Sequence, residues 1–130
     1  MKRIFLACFL LTATCSVSSI GHATAQTTTT PVTLAAFTAK VNQLDAYIAA
    51  SDMTNAQATW TLVHNMMLGV LATSKVSIRD AVSTPDKDAH MAILMNQQTI
   101  YSAIWELKTN LATNRAALHT KLGEFGATIY

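Results

Sequence analysis

Residues 93–123 read ILMNQQTIYSAIWELKTNLATNRAALHTKLG, and this run decides the fold. Ile93, Ile100, Ile104, Leu107, Leu111, Leu118 and Leu122 recur at steps that wind onto one face of a helix. Upstream, Thr84-Pro85-Asp86 supplies a cap, a proline for the first turn and an acid for the positive end of the helix dipole. Gly123 is a fitting residue to stop it. The pattern predicts one long helix from Thr84 to Leu122, over about 50 Å at the usual rise.

Working outward, two shorter amphipathic segments precede it. Asn55 to Val82 carries Trp60, Val63, Met67, Val70 or Leu71, and Ile78 on one stripe. Thr54 and Gln57 match a capping box at its start. Leu62, Met66 and Leu68 widen that stripe until the middle of the helix is apolar nearly all round, so more than one neighbour should cover it. Pro31 to Ala50 carries Leu34, Phe37, Val41, Leu44 and Ile48, entered through Thr30 as cap and Pro31. Short connections imply antiparallel neighbours. The expected fold is all-α, an up-down-up three-helix bundle with a long third helix, occupying residues 31–130 as a single domain.

Unequal helix lengths give this bundle two uncovered ends. The turn between helices 2 and 3 should protrude as a two-helix tip carrying Val76, Val82 and Met91. The end of helix 3 should overhang with Leu118, Leu122, Phe125 and Ile129. Exposed apolar area of this kind marks interaction surfaces, and a second copy is the simplest partner. These seven residues are the candidate interface.

The first 25 residues read MKRIFLACFLLTATCSVSSIGHATA. Lys2 and Arg3, the apolar run from Ile4 to Leu11 and the small-residue site Ala23-Thr24-Ala25 make a secretory signal peptide, too short to span a bilayer. The alternative is a lipid-bearing Cys15, although Thr14 is a poor residue before such a cysteine. Cleavage before Gln26 leaves 105 of the 130 residues, opening on a polar leader at 26–30. Both cysteines, Cys8 and Cys15, leave with the signal. The 9 basic residues fall to 7, against 7 acidic ones, so no basic patch remains for nucleic acid. The expected compartment is the periplasm or the exterior, with an envelope protein as the partner.

Site chemistry is sparse. "TLVHNMMLGVL", Thr61 to Leu71, sets His64, Met66 and Met67 in an apolar run. On an antiparallel pair of long helices, His64, His90 and His119 differ in height by steps of roughly 20 Å, so no two could share one ion. His64 therefore reads as a core or boundary residue level with Trp105, and Met66, Met67 and Met95 as packing. Trp60, Trp105 and Tyr47 read as one aromatic layer of the core. No nucleophile elbow, HExxH, phosphate loop or acid pair occurs, so neither an enzyme nor a metal site is expected.

One pair, Met53 and His119, passes the same height test and could hold haem from two sides. Asn114 to Leu122, NRAALHTKL, resembles the C-terminal helix of the cytochrome b562 family, where an arginine stands four residues before the haem histidine; those positions are Arg115 and His119 here. The resemblance implies a four-helix haem bundle. It departs from this sequence at the start of helix 1, where the family has its methionine and this chain has Thr33-Leu34-Ala35. The reading that follows from the residues is a non-enzymatic, exported bundle acting through protein contacts, without cofactor. A bundle binding haem or a small apolar molecule is the alternative.

Overall fold

The computed structural model describes residues 30–130; the signal peptide expected at residues 1–25 and most of the leader expected at 26–30 lie outside them. Among the described residues four α-helices make up the fold: α1 (Leu34–Ala49), α2 (Met53–Asp80), α3 (Thr84–Leu107) and α4 (Arg115–Gly126). The all-α expectation holds; the three-helix count does not. α1 packs on α2, α2 on α3 and α3 on α4, and α4 returns to α1, closing an up-down-up-down ring.

The long third helix breaks because its polar residues bind backbone instead of continuing the spiral. After Leu107 the chain tightens into a 3₁₀ turn at Lys108–Asn110. Asn110 Oδ1 then accepts from the amide of Thr113 at 3.0 Å, and Asn114 Nδ2 donates to the carbonyl of Leu107 at 2.8 Å. Asparagine and threonine compete with helical hydrogen bonds in this way, and here the competition reverses the chain. Leu111, on the reversal itself, is buried.

The reversal corrects the expected overhang. Leu118, Leu122 and Phe125 are buried in the shared core, and Ile129 packs partly buried against it. α4 runs through Gly123 and ends only after Gly126. A Cβ on Gly126 would stand 3.3 Å from the ring of Phe37, so glycine here lets α4 close on α1. The Phe37 and Phe125 rings meet at 5.8 Å across the same seam. These three side chains are thus not an interface.

The helix starts also differ by a few residues from the sequence reading. Thr33, not Thr30, caps α1, its hydroxyl accepting from the amide of Ala36. Asp52, not Thr54, caps α2 by accepting from Asn55 at 3.1 Å, and Ser83 caps α3 ahead of Thr84 and Pro85. Each is an oxygen-bearing side chain three residues before the amide it satisfies. Between α1 and α2, Ser51 takes a positive φ of 57°.

The core is built from Phe37, Val41, Leu44 and Ile48 of α1, Ala56, Trp60, Val63, Met67 and Val70 of α2, Ile104 of α3 and the three α4 residues. At its lower end a polar plug closes it. Ser74 donates to Gln97 Oε1 at 2.7 Å, and Gln97 Nε2 donates to the Thr128 carbonyl. Gln97 is completely buried, so these bonds satisfy its amide without water.

Candidate functional site

Beyond Ser74 on α2 and Gln97 on α3, no residue among those described is buried. α2 reaches about 9 Å further at the usual rise. The two helices then stand as a hairpin beyond α1 and α4. Its apolar side chains have nothing to pack on: Val82 at the turn is 99 % exposed, and Val76, Met91 and Met95 are exposed along its flanks. Val76, Val82 and Met91 are the tip residues that the sequence offers as interface candidates. Met95 was expected in the core and is not. Arg79 pairs with Asp80 at 2.8 Å, and Asp86 lies 3.5 Å from His90.

The second cluster answers the question raised by His64. Its Nε2 lies 2.8 Å from the Tyr101 hydroxyl. Its ring stands 6.2 Å from Trp60, 5.9 Å from Tyr101 and 5.3 Å from Trp105, and the Lys108 ammonium sits 3.0 Å from the centre of the Trp105 ring. α2 contributes Trp60 and His64 one turn apart; α3 contributes Tyr101 and Trp105 at the matching height, and the 3₁₀ turn after it contributes Lys108. Trp60 is buried while Trp105 is 40 % exposed, so this is a boundary stack, not the core layer expected. Tyr47 belongs elsewhere, with its hydroxyl bound to Gln43 on α1. Sequence reasoning missed Tyr101, although its place one turn before Trp105 was a usable signal. The histidine and the lysine both lie against Trp105, so the cluster clasps α2 to α3.

The α1–α4 seam carries the remaining candidates. Arg115 makes two 2.7 Å bonds to the carboxylate of Asp45. These bonds, with the nearby charge of His119, hold Asp45 below the usual carboxylate range, and the same pairing raises Arg115. His119 lines a shallow groove with Phe37, Thr38, Val41 and Asn42.

No family model, curated protein or solved structure matches the chain.

The same seam sets the position of His119 against Met53. Val41 is eight residues, or about 12 Å of rise, below Ala49, and Met53 lies past that end of α1 on the diagonally opposite helix. Met53 opens α2, whereas His119 faces the α1–α4 seam beside Val41 and Asp45. The height that once matched them assumed an unbroken third helix. Among the described residues no three histidine, cysteine or acidic side chains converge as a metal site, and no helix is long and apolar enough to cross a membrane.

Proposed function

We propose that this chain is an exported four-helix protein that acts by contact with another envelope protein through the α2–α3 tip, without catalysis of its own. The observation that carries this reading is the exposure of Val76, Val82, Met91 and Met95 on a hairpin that stands clear of the core. An exposed apolar patch is costly to keep in water and commonly marks a contact surface. The N-terminal 25 residues support export, with cleavage before Gln26.

Site-specific photo-cross-linking in the native host tests it. A photoreactive side chain at Met91 or Val82 should yield a discrete adduct with another protein, and one at Thr120 on α4 should not. Met91→Lys with Met95→Lys should abolish the adduct while the helical circular dichroism stays. Absence of any adduct from the tip, or equal adducts from α4, removes the reading. Mass spectrometry of the recovered protein tests export: Gln26 at the N-terminus is expected, and an intact Met1 or a lipid on Cys15 removes that part.

A further inference from the structure

The connections between successive helices are not equally guarded. After α1, the amides of Ala50, Ser51 and Asp52 each donate to a carbonyl in the last turn of that helix. After α3, the backbone stays helical at Lys108 and Leu111, Leu111 is buried, and the side chains of Asn110 and Asn114 tie the reversal down. Ala81 to Ser83, between α2 and α3, has no such hold. Ala81 (φ −63°, ψ 126°) and Ser83 (φ −122°, ψ 152°) are both extended. Among the described residues neither Ala81 nor Val82 has a backbone hydrogen-bond partner. Val82 between them is 99 % exposed.

We propose that the Val82–Ser83 peptide bond is a processing site, cut by an endopeptidase whose specificity pocket takes a small aliphatic side chain. An extended peptide docks by pairing its free backbone groups with a strand edge, and an elastase-type pocket admits a side chain of this size. Ala81 to Ser83 already has that shape, with its backbone groups free and the Val82 side chain in the open. Residues from Ala81 to Pro85 carry no charge to oppose an apolar pocket. The flanking chain must also peel away to enter a cleft. From Lys75 to Asn96 no residue is fully buried, so opening the last turn of α2 breaks little packing. Exposed turn tips with small side chains are where nicking concentrates. Lys75, Arg79 and Lys87 all stand within helices, and Asp80 pairs with Arg79, so a trypsin-type enzyme is less well served here.

The step is hydrolysis. Water gives its oxygen to the Val82 carbonyl carbon, which becomes a carboxylate, and its two hydrogens to the Ser83 nitrogen, which leaves as an ammonium. These new charges fall at the wrong ends of two helix dipoles: the carboxylate at the negative end of α2 and the ammonium at the positive end of α3. Past Ser74 and Gln97 only half-buried contacts then remain between the two helices. The body keeps its whole buried cluster, so the two pieces stay together. The cut therefore unravels the tip and leaves the body folded, which withdraws the apolar surface of Val76, Met91 and Met95 irreversibly. That consequence for a partner rests on the tip reading; the site itself does not.

Limited digestion of the full chain as recovered, with pancreatic elastase and intact-mass measurement, tests the proposal. The first cut between Leu34 and Gly126 should fall after Val82, about tenfold faster than any other in that span. The two pieces should elute together on gel filtration. Hydrogen exchange of the cut protein should show amides of Ser77 to Asp80 unprotected, with those around Val63 and Ile104 still protected. Val82→Arg, at a fully exposed position, should transfer the cut to trypsin, which should take residue 82 ahead of Lys75, Arg79 and Lys87. A first elastase cut at Ala50 or Ala112, in the other connections, overturns the proposal. So does a Val82→Arg variant that trypsin opens first elsewhere. Pieces that separate, or a tip that keeps its protection after the cut, overturn the unravelling. None of these measurements uses the cross-linked adduct, so failure of the site and failure of the tip reading are told apart.

Discussion

Trp60 and Trp105 stand level on α2 and α3, yet they do different work. Trp60 is enclosed, so Trp60→Ala should destabilise by about 3–5 kcal/mol, the range for removing a buried aromatic side chain. Trp105 leaves two fifths of its surface in water, so Trp105→Ala should cost less, about 1–2 kcal/mol. Urea denaturation of both variants checks the difference, and equal losses would place Trp105 in the core after all. His64 and Tyr101 form a hydrogen-bonded pair at the edge of the bundle. Removing either partner alone should lose about 0.5–1.5 kcal/mol. The double variant should lose less than the two single losses added, since the bond can be lost only once. Full additivity would mean that the 2.8 Å contact contributes nothing.

At the scale of elements, α4 is the piece whose attachment depends most on polar chemistry. Its outer anchor is Arg115 on Asp45. Asp45 is held below its ordinary value, so the folded state binds the proton less readily than the unfolded chain. The stabilisation is fully present above the ordinary carboxylate value, about 3.9, and is lost as pH falls through the lowered one. The protection of α4 amides, taken relative to their intrinsic exchange rate at each pH, should therefore fall on acidification below about pH 4, ahead of that in α2. Asp45→Asn should make exchange in α4 fast already at neutral pH and remove most of that acid step. An acid step unchanged in Asp45→Asn would assign it to other carboxylates.

The start of α4 also marks where sequence reasoning ran out. Ile93 to Leu122 is periodic enough to pass as one helix because Leu111 and Leu118 stay in phase across the reversal. Leu118 and Leu122 continue the same apolar stripe in either geometry, overhanging in one and buried in the other, so apolar spacing alone could not distinguish a straight helix from a folded one. The deciding information lay in Asn110, Thr113 and Asn114, whose side chains choose backbone partners only once the chain has turned. By contrast, α1 and α2 were legible in their buried stripes, because those stripes have one neighbour arrangement to satisfy. The tip was legible too, since it follows from α1 being shorter than α2. The boundary stack was half legible: the height of Trp60 against Trp105 followed from counting, but which rings face water depends on where α4 goes, and the turn at Lys108 was unseen. The matched heights of Met53 and His119 rested on the same unbroken helix.

The whole molecule divides into a closed four-helix body and a two-helix extension, with the Ser74–Gln97–Thr128 plug at the junction. Apolar burial, the main source of stability, lies almost entirely on the body side. The extension has no fully buried residue, and the half-buried Ile78, Ala81, His90, Ile93 and Leu94 hold its helices together. Deleting Val76 to Met95 and joining Lys75 to Asn96 through a short glycine-containing turn should therefore leave a folded body. Two antiparallel neighbours can be joined by a connection this short. If the deletion forfeits no more than about 1 kcal/mol, the melting temperature should fall by at most about 8 °C. Hydrogen exchange should agree in the intact chain, with amides of the tip exchanging well before those around Val63 and Ile104, because local opening there breaks few apolar contacts. The shortened chain should lose the tip's cross-linked adduct completely while keeping the Trp60–His64–Trp105 stack. Ser74→Ala gives the contrasting result: it leaves the tip in place but strips Gln97 Oε1 of its donor in a buried site, and should cost the body about 1–3 kcal/mol. A deletion that unfolds the chain, beside a Ser74→Ala variant of undiminished stability, would mean that the extension supports the body and that the plug does not mark their boundary.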